Sequence, residues 1–319
     1  MFRKLKRGLV FLYRNSCNFS CIIPLVTLLW HVRNYVPSSI YNKMVQKKHE
    51  EVERYIVELL SPELDVLCNE FHDCKEDDAN PVIWVCWLQG EEGLPDIPKV
   101  CLEKIYVHAA GHPVRFVSLE NYTKYVNIPE FVATLFKEGK ISMPHFSDIL
   151  RTALLYYHGG CWIDATILLT DDLPGDLFAK PFYSIRTEKW GDFITQCRWS
   201  NFFMASWKRN PLMGITLKMF YLYMQKVDCF VDYFMMDYFM DIVYRRNAFV
   251  KEMIDQIPYN NPNVHSMCKV LNEKFSDEIC EKIKSGNTFI HKLQWKGAFS
   301  EKDVNGFPTF YAYLLKRKL

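Results

Sequence analysis

The sequence carries almost no net charge. Its 39 Lys and Arg against 37 Asp and Glu leave a balance of +2. Such a surface lacks the field that draws a phosphate backbone, so nucleic acid is not an expected partner. No C-x-x-C pair occurs among the 11 cysteines, and their number is odd. That excludes a disulfide framework and a zinc-finger spacing. Reduced thiols in a cytoplasmic protein are the simpler account. No internal repeat or low-complexity tract is visible. The apolar run at residues 19–30 falls short of the roughly 20 residues a bilayer span needs, and it contains Pro24. What is abundant is ordinary core material, 49% hydrophobic and 15% aromatic residues in 319. That is enough for one large domain or two modest ones. The many rings suit a Phe/Tyr-rich core, and some suit a groove for sugars or bases.

The N-terminus stays open between two accounts. Arg3, Lys4, Lys6, Arg7 and Arg14 precede the apolar run with no acid among them, and no A-x-A-like cleavage site follows. One account is a segment lying peripherally on the cytoplasmic (inner) membrane surface. The other is an N-terminal helical hairpin packed on the domain. Residues 38–60 follow as a charged amphipathic helix, with Ile40, Met44, Val52, Ile56 and Leu60 at helical spacing. A polar stretch from Asp73 to Asn80 then divides a helical extension, 1–75, from the main domain, 76–319.

From Pro81 the pattern alternates. Val82–Leu88 reads as a buried strand, Pro98–Ala110 as a helix and Val114–Leu119 as a second strand. Ser147–His158 reads as a helix capped by Ser147, started late by Pro144 and closed by Gly159-Gly160. Cys161–Leu169 reads as a third strand, and residues 212–246 as largely helical. This β-α-β order predicts an α/β fold that binds ligand at the carboxyl ends of its strands.

The segment S-D-I-L-R-T-A-L-L-Y-Y-H-G-G-C-W-I-D-A-T, Ser147–Thr166, concentrates the chemistry. Asp148 and Arg151 are three apart and share a helix face. A first-turn position would suit phosphate, whereas a solvated ion pair is the plainer alternative. Period-two alternation aims Trp162, Asp164 and Thr166 to one side. A buried carboxylate without a partner costs several kcal/mol, so Asp164 should meet a metal, a hydroxyl or a base. Near a diphosphate, a carboxylate suits Mg²⁺ or Mn²⁺.

These residues resemble the S-D-x-x-R…G-G-x-[YW]-x-D-x-D signature of a glycosyltransferase superfamily that includes oligosaccharide mannosyltransferases and glucosylating toxins. G-G-C-W-I-D-A-T is more closely similar to bacterial capsular polysaccharide synthesis proteins, where Thr commonly replaces the second Asp. The resemblance runs from about Val82 to Trp295. It implies a GT-A-like fold with an N-terminal helical extension, and transfer of a hexosyl or similar unit, with retention, from a nucleotide-sugar donor to a glycan or lipid-linked acceptor. It implies Asp164 and Arg151 as the catalytic pair. It implies donor contacts from Trp87, Asp148, Arg151, Trp162, Asp164, Lys292 and Lys296. It implies Mn²⁺ or Mg²⁺ held by Asp164, His291 and Thr166, with Thr166 a far weaker ligand than the usual Asp. Asp237, inside an apolar helix, is either an acceptor-site group or a satisfied structural acid. Two other readings stand beside transfer: a non-catalytic nucleotide-sugar or glycan-binding partner in an assembly complex, and a nucleotide-sugar hydrolase.

Overall fold

The computed structural model describes residue 26 and residues 35–71, 80–188 and 193–319. The expected membrane-facing segment lies outside the described residues, apart from Val26, Tyr35 and Val36. No helix among the described residues is long and apolar enough to cross a membrane. Eight cysteines fall among them, all as free thiols.

The elements run in order: helices α1 (Ser38–Leu60) and α2 (Glu63–Glu70), strand β1 (Ile83–Cys86), α3 (Asp96–Val107), β2 (Val114–Val117), α4 (Glu130–Lys137) and α5 (Met143–His158). Then come β3 (Gly160–Ile163), β4 (Ile167–Leu169), β5 (Phe182–Ser184), β6 (Phe203–Ser206), α6 (Pro211–Lys226), α7 (Met235–Arg246) and α8 (Ala248–Asp255). The chain finishes with α9 (Ser266–Val270), α10 (Asp277–Lys284), β7 (Ile290–Lys292) and α11 (Phe310–Leu315). The five-stranded sheet has order β2-β1-β3-β6-β5. Its β2-β1-β3 portion is parallel, and β6 joins β3 antiparallel. This is the expected α/β class, with β1 and β3 ending side by side.

Every residue of β1 and β3 is buried, as both-face burial in a parallel sheet requires. On one face, Trp84, Trp162 and Met204 pack with residues of α5, α6 and α7. On the other, Ile83, Val85, Cys161 and Ile163 pack with Leu102 and Ile105 of α3. Gly160 explains the close joining of α5 to the sheet. Its φ is +87°, and a Cβ there would stand 2.1 Å from the Val82 carbonyl oxygen. Only glycine tolerates that approach.

Two sequence expectations change. Helix α5 starts at Met143, with Ser142 as N-cap accepting from the His145 N–H. Ser147 is therefore interior, and Pro144 sits inside the first turn, where its missing N–H costs nothing. Asp148 and Arg151 consequently lie in the second and third turns, beyond the reach of the helix-end dipole. The expected strand Cys161–Leu169 is broken into β3 and β4, which belong to different sheets. Between them Asp164–Ile167 forms a turn closed by the Ile167 N–H on the Asp164 carbonyl, 2.9 Å. Period-two patterning cannot register such a switch, because both halves are apolar.

Helix α1 shares the core of α6 and α7 through Val52, Ile56 and Leu60. Lys48 pairs with Asp232 at 2.8 Å, and the Glu53 side chain lies against Asp241. Burial, then the hydrogen bond and negative charge of Asp241, push Glu53 from its usual 4.5 up to about 8. A raised folded pKa means that its contribution to stability is full below the unfolded value and is lost as pH rises through about 8. Glu53→Gln keeps a neutral hydrogen-bonding group there. It is expected to raise the melting temperature at pH 9 by about 2–6 °C and to leave it unchanged at pH 5. Calorimetric scans at both pH values check this.

Candidate functional site

Parallel β1 and β3 point their carboxyl ends the same way, and α5 passes beside them. Burial pushes the thiol of Cys86, at the end of β1, up to about 12; the Arg151 charge and a hydrogen bond with Ser147 oppose that, and the Asp164 charge adds to it. The end of β1 therefore borders the motif. Arg151 lies inside the cluster, 6% exposed. It donates from Nη1 to Asp148 Oδ1 at 3.0 Å and from Nη2 to Asp164 Oδ1 at 3.2 Å. Its guanidinium lies 4.8 Å over the Trp162 ring.

Asp164, in the turn after β3, gathers three donors. Trp162 Nε1 reaches Oδ1 at 2.9 Å beside Arg151, and Lys292 Nζ reaches Oδ2 at 2.6 Å. Burial alone would raise its pKa. The Lys292 and Arg151 charges outweigh that and hold it at about 2. Lys292 also donates to Thr166 Oγ1 at 2.8 Å. The second sheet brings it there: β7 pairs antiparallel with β4, setting Ile167 opposite Lys292. Asp148 behaves differently. Burial pushes it up to about 7, against the lowering charge of Arg151 and with raising contributions from Asp237 and Asp164. One carboxylate is thus held ionised while its neighbour is poised near neutrality, the kind of divergence found at functional sites.

Asp237 of α7 is 6% exposed. Trp199 Nε1 and Asn201 Nδ2 both donate to its Oδ1 at 2.9 Å. Burial raises it to about 6, against those two hydrogen bonds. Trp199 and Asn201 were not legible in the sequence, because they lie 38 and 36 residues away. Its two neighbouring acids are structural. Asp232 is paired with Lys48, and Asp241 with Arg198 and Arg245. Tyr233, on the loop before α7, has a phenol raised by burial and then by the Asp148 and Asp164 charges, which places it beside the cluster.

The remaining residues are distributed as follows. Trp162 is 1% exposed, so it orients Arg151 and Asp164 and offers no face to a ligand. Trp87, just past β1, is half-buried and sits edge-on to Trp295 at 5.3 Å. Lys296 Nζ lies 4.9 Å over the Trp295 ring. These three form a second group that includes no member of the ion cluster. Trp84 is a core residue, donating to the Gly159 carbonyl at 3.0 Å.

The expected metal set is not brought together. His291 is fully buried on the face of β7 opposite Lys292, its Nε2 3.2 Å from Thr170 Oγ1. Burial, then Lys284, lowers it to about 4, so the ring is neutral. Asp164 and Thr166 do meet, but around the Lys292 ammonium. Among the described residues no group of three or more His, Cys, Asp or Glu could hold a metal. The oxygens that would receive Mn²⁺ or Mg²⁺ are already engaged by a cation, and the residues present do not fit the ion.

A family model described as capsular polysaccharide synthesis protein matches residues 33–314. A solved structure titled PaToxG Glycosyltransferase is similar at 14% identity, covering 76% of this chain and 99% of that one, with a TM-score of 0.37. No curated protein matches the chain.

Proposed function

This chain belongs to the capsular polysaccharide synthesis protein family, and on that premise we propose that it is a glycosyltransferase using a nucleotide-sugar donor. The observation that carries the reading is the chain of ions Asp148–Arg151–Asp164–Lys292 at the carboxyl ends of β1 and β3. A departing nucleoside diphosphate must have its charge neutralised, and preorganised cations do that with little reorganisation. In the proposed reaction the bond from sugar C1 to the diphosphate oxygen breaks, and its electron pair leaves with the diphosphate. The acceptor hydroxyl oxygen bonds C1, and its proton passes to the departing diphosphate. Attack on the face the diphosphate leaves accounts for retention without a protein nucleophile. The acceptor is a glycan or lipid-linked saccharide. The proposed setting is cytoplasmic, at the inner membrane surface.

Trp87 and Trp295 support a base-stacking role, since this ring pair just past β1 is only half-buried and leaves aromatic surface for a nucleobase. Purified full-length protein incubated with nucleotide sugars and saccharide acceptors is expected to yield the elongated acceptor by mass spectrometry. Nucleotide affinity without any product would favour the non-catalytic partner. Free sugar formed without acceptor would favour hydrolysis.

Asp237 supports the acceptor side. Its Oδ1 takes both hydrogen bonds from Trp199 and Asn201, so Oδ2 is the oxygen left to receive an acceptor hydroxyl. Asp237→Asn is expected to raise the acceptor KM about tenfold, the effect of losing one hydrogen bond to a charged group, and to leave donor affinity within twofold. In the wild type the acceptor KM should fall as pH rises through about 6, where Asp237 ionises. Steady-state kinetics across pH 5–8 decides the matter, and a pH-independent KM would remove Asp237 from the acceptor site.

A further inference from the structure

We infer that Lys292 holds the place of the divalent cation in this chain's donor site and neutralises the departing diphosphate itself, an inference that rests on the glycosyltransferase reading. In the signature this sequence resembles, two carboxylates stand at the positions of Asp164 and Thr166. Here the Lys292 ammonium bridges those positions, 2.6 Å from Asp164 Oδ2 and 2.8 Å from Thr166 Oγ1. Thr166 supplies a neutral hydroxyl in place of a second carboxylate, which matches a single positive charge better than a double one.

The placement is built into the backbone. Lys292 N–H donates to the Val264 carbonyl at 2.8 Å, and Leu293 N–H donates to the Thr166 carbonyl at 2.9 Å. The lysine and the turn it serves are thereby tied to one another. Asp164 Oδ1 already takes two donors, Trp162 and Arg151, and Oδ2 faces the Lys292 ammonium. A metal entering here would meet Arg151 and Lys292 at close range, and like charges a few ångströms apart repel strongly in a partly buried site. Mg²⁺ also demands several oxygens at about 2.0–2.1 Å in octahedral array. His291, the third expected ligand, faces away into the core. An ammonium carries three N–H donors. Asp164 and Thr166 take two, and the third is left for an oxygen of the diphosphate. The lysine side chain keeps 25% of its surface exposed, so that donor is within reach of a ligand.

The test measures binding of UDP, GDP and CDP to the full-length protein by calorimetry, in EDTA and in Mn²⁺. The wild type is expected to bind at least one of them with dissociation constants within threefold in the two conditions. Lys292→Met is expected to weaken that binding in EDTA tenfold or more, while Lys292→Arg, which keeps a cation, stays within tenfold of wild type. In the double variant Lys292→Met/Thr166→Asp, a two-carboxylate site is rebuilt, and Mn²⁺ should restore affinity tenfold or more over EDTA. A purely structural lysine would not exchange one cation requirement for another. Tenfold or greater tightening of wild-type binding by Mn²⁺ overturns the inference and leaves the glycosyltransferase reading standing. Wild-type affinity in EDTA for a folded Lys292→Met protein overturns it too. No binding of any of the three diphosphates in either condition overturns the glycosyltransferase reading and the inference together.

Discussion

Asp164→Asn is expected to lower kcat/KM for sugar transfer by about 10²–10³-fold, the range seen when one preorganised electrostatic group is removed from an active site. The reason is its position between two cations. Oδ1 accepts from Arg151 and Trp162, and Oδ2 from Lys292. Its pKa of about 2 means that it is ionised at every working pH. The amide of Asn removes the charge and turns one oxygen into a donor. Arg151 and Lys292 then share no counter-ion and push apart, so both lose the aim that the proposed reaction needs. The main effect should fall on kcat, because the cations act on charge that develops as the diphosphate leaves. Circular dichroism and melting curves separate this from unfolding. A folded Asp164→Asn protein within fivefold of wild-type turnover would place the chemistry elsewhere.

The ion cluster was partly legible in the sequence. Asp148, Arg151 and Asp164 stand in one 20-residue segment whose helix, Gly-Gly turn and strand follow local rules. Gly160 is dictated by the Val82 carbonyl, a contact that local patterning does not reveal although it does signal the Gly-Gly turn. The resemblance implies Lys292 as a donor contact but not its partners, because Asp164 and Thr166 lie 128 and 126 residues away. That pairing depends on a two-stranded sheet formed by β4 and β7, and β4 itself was hidden inside an apparent single strand. His291 illustrates the converse. A strand alternates its faces, so of two adjacent polar residues only one can turn toward the site, and local sequence does not say which. Lys292 turns in, and His291 turns into the core. The helix starts earlier than expected because Pro144 signals a boundary equally well from just before a helix or from its first turn.

Arg151→Lys, though it conserves charge, is expected to lower kcat/KM by roughly 100-fold, equivalent to about 2.7 kcal/mol of transition-state stabilisation. Arg151 bridges two carboxylates with two separate nitrogens, Nη1 to Asp148 and Nη2 to Asp164, while its flat face lies on Trp162. A planar fork does this from one position, and an ammonium is a point charge that lacks both the span and the stacking face. Lysine would therefore neutralise one acid and leave the other. Asp164 still has Lys292, so Asp148 is the acid that loses support. Its pKa already stands near 7 because burial outweighs Arg151. With that lowering charge displaced, Asp148 should ionise only at higher pH. A pH–rate profile is the discriminating measurement. If ionised Asp148 is required, the acid limb of the Arg151→Lys profile moves to higher pH, whereas Asp148→Asn abolishes the limb altogether. An unshifted limb with wild-type turnover would reduce Arg151 to a structural bridge, since a bridge needs charge and contact but not the coupling between these two acids.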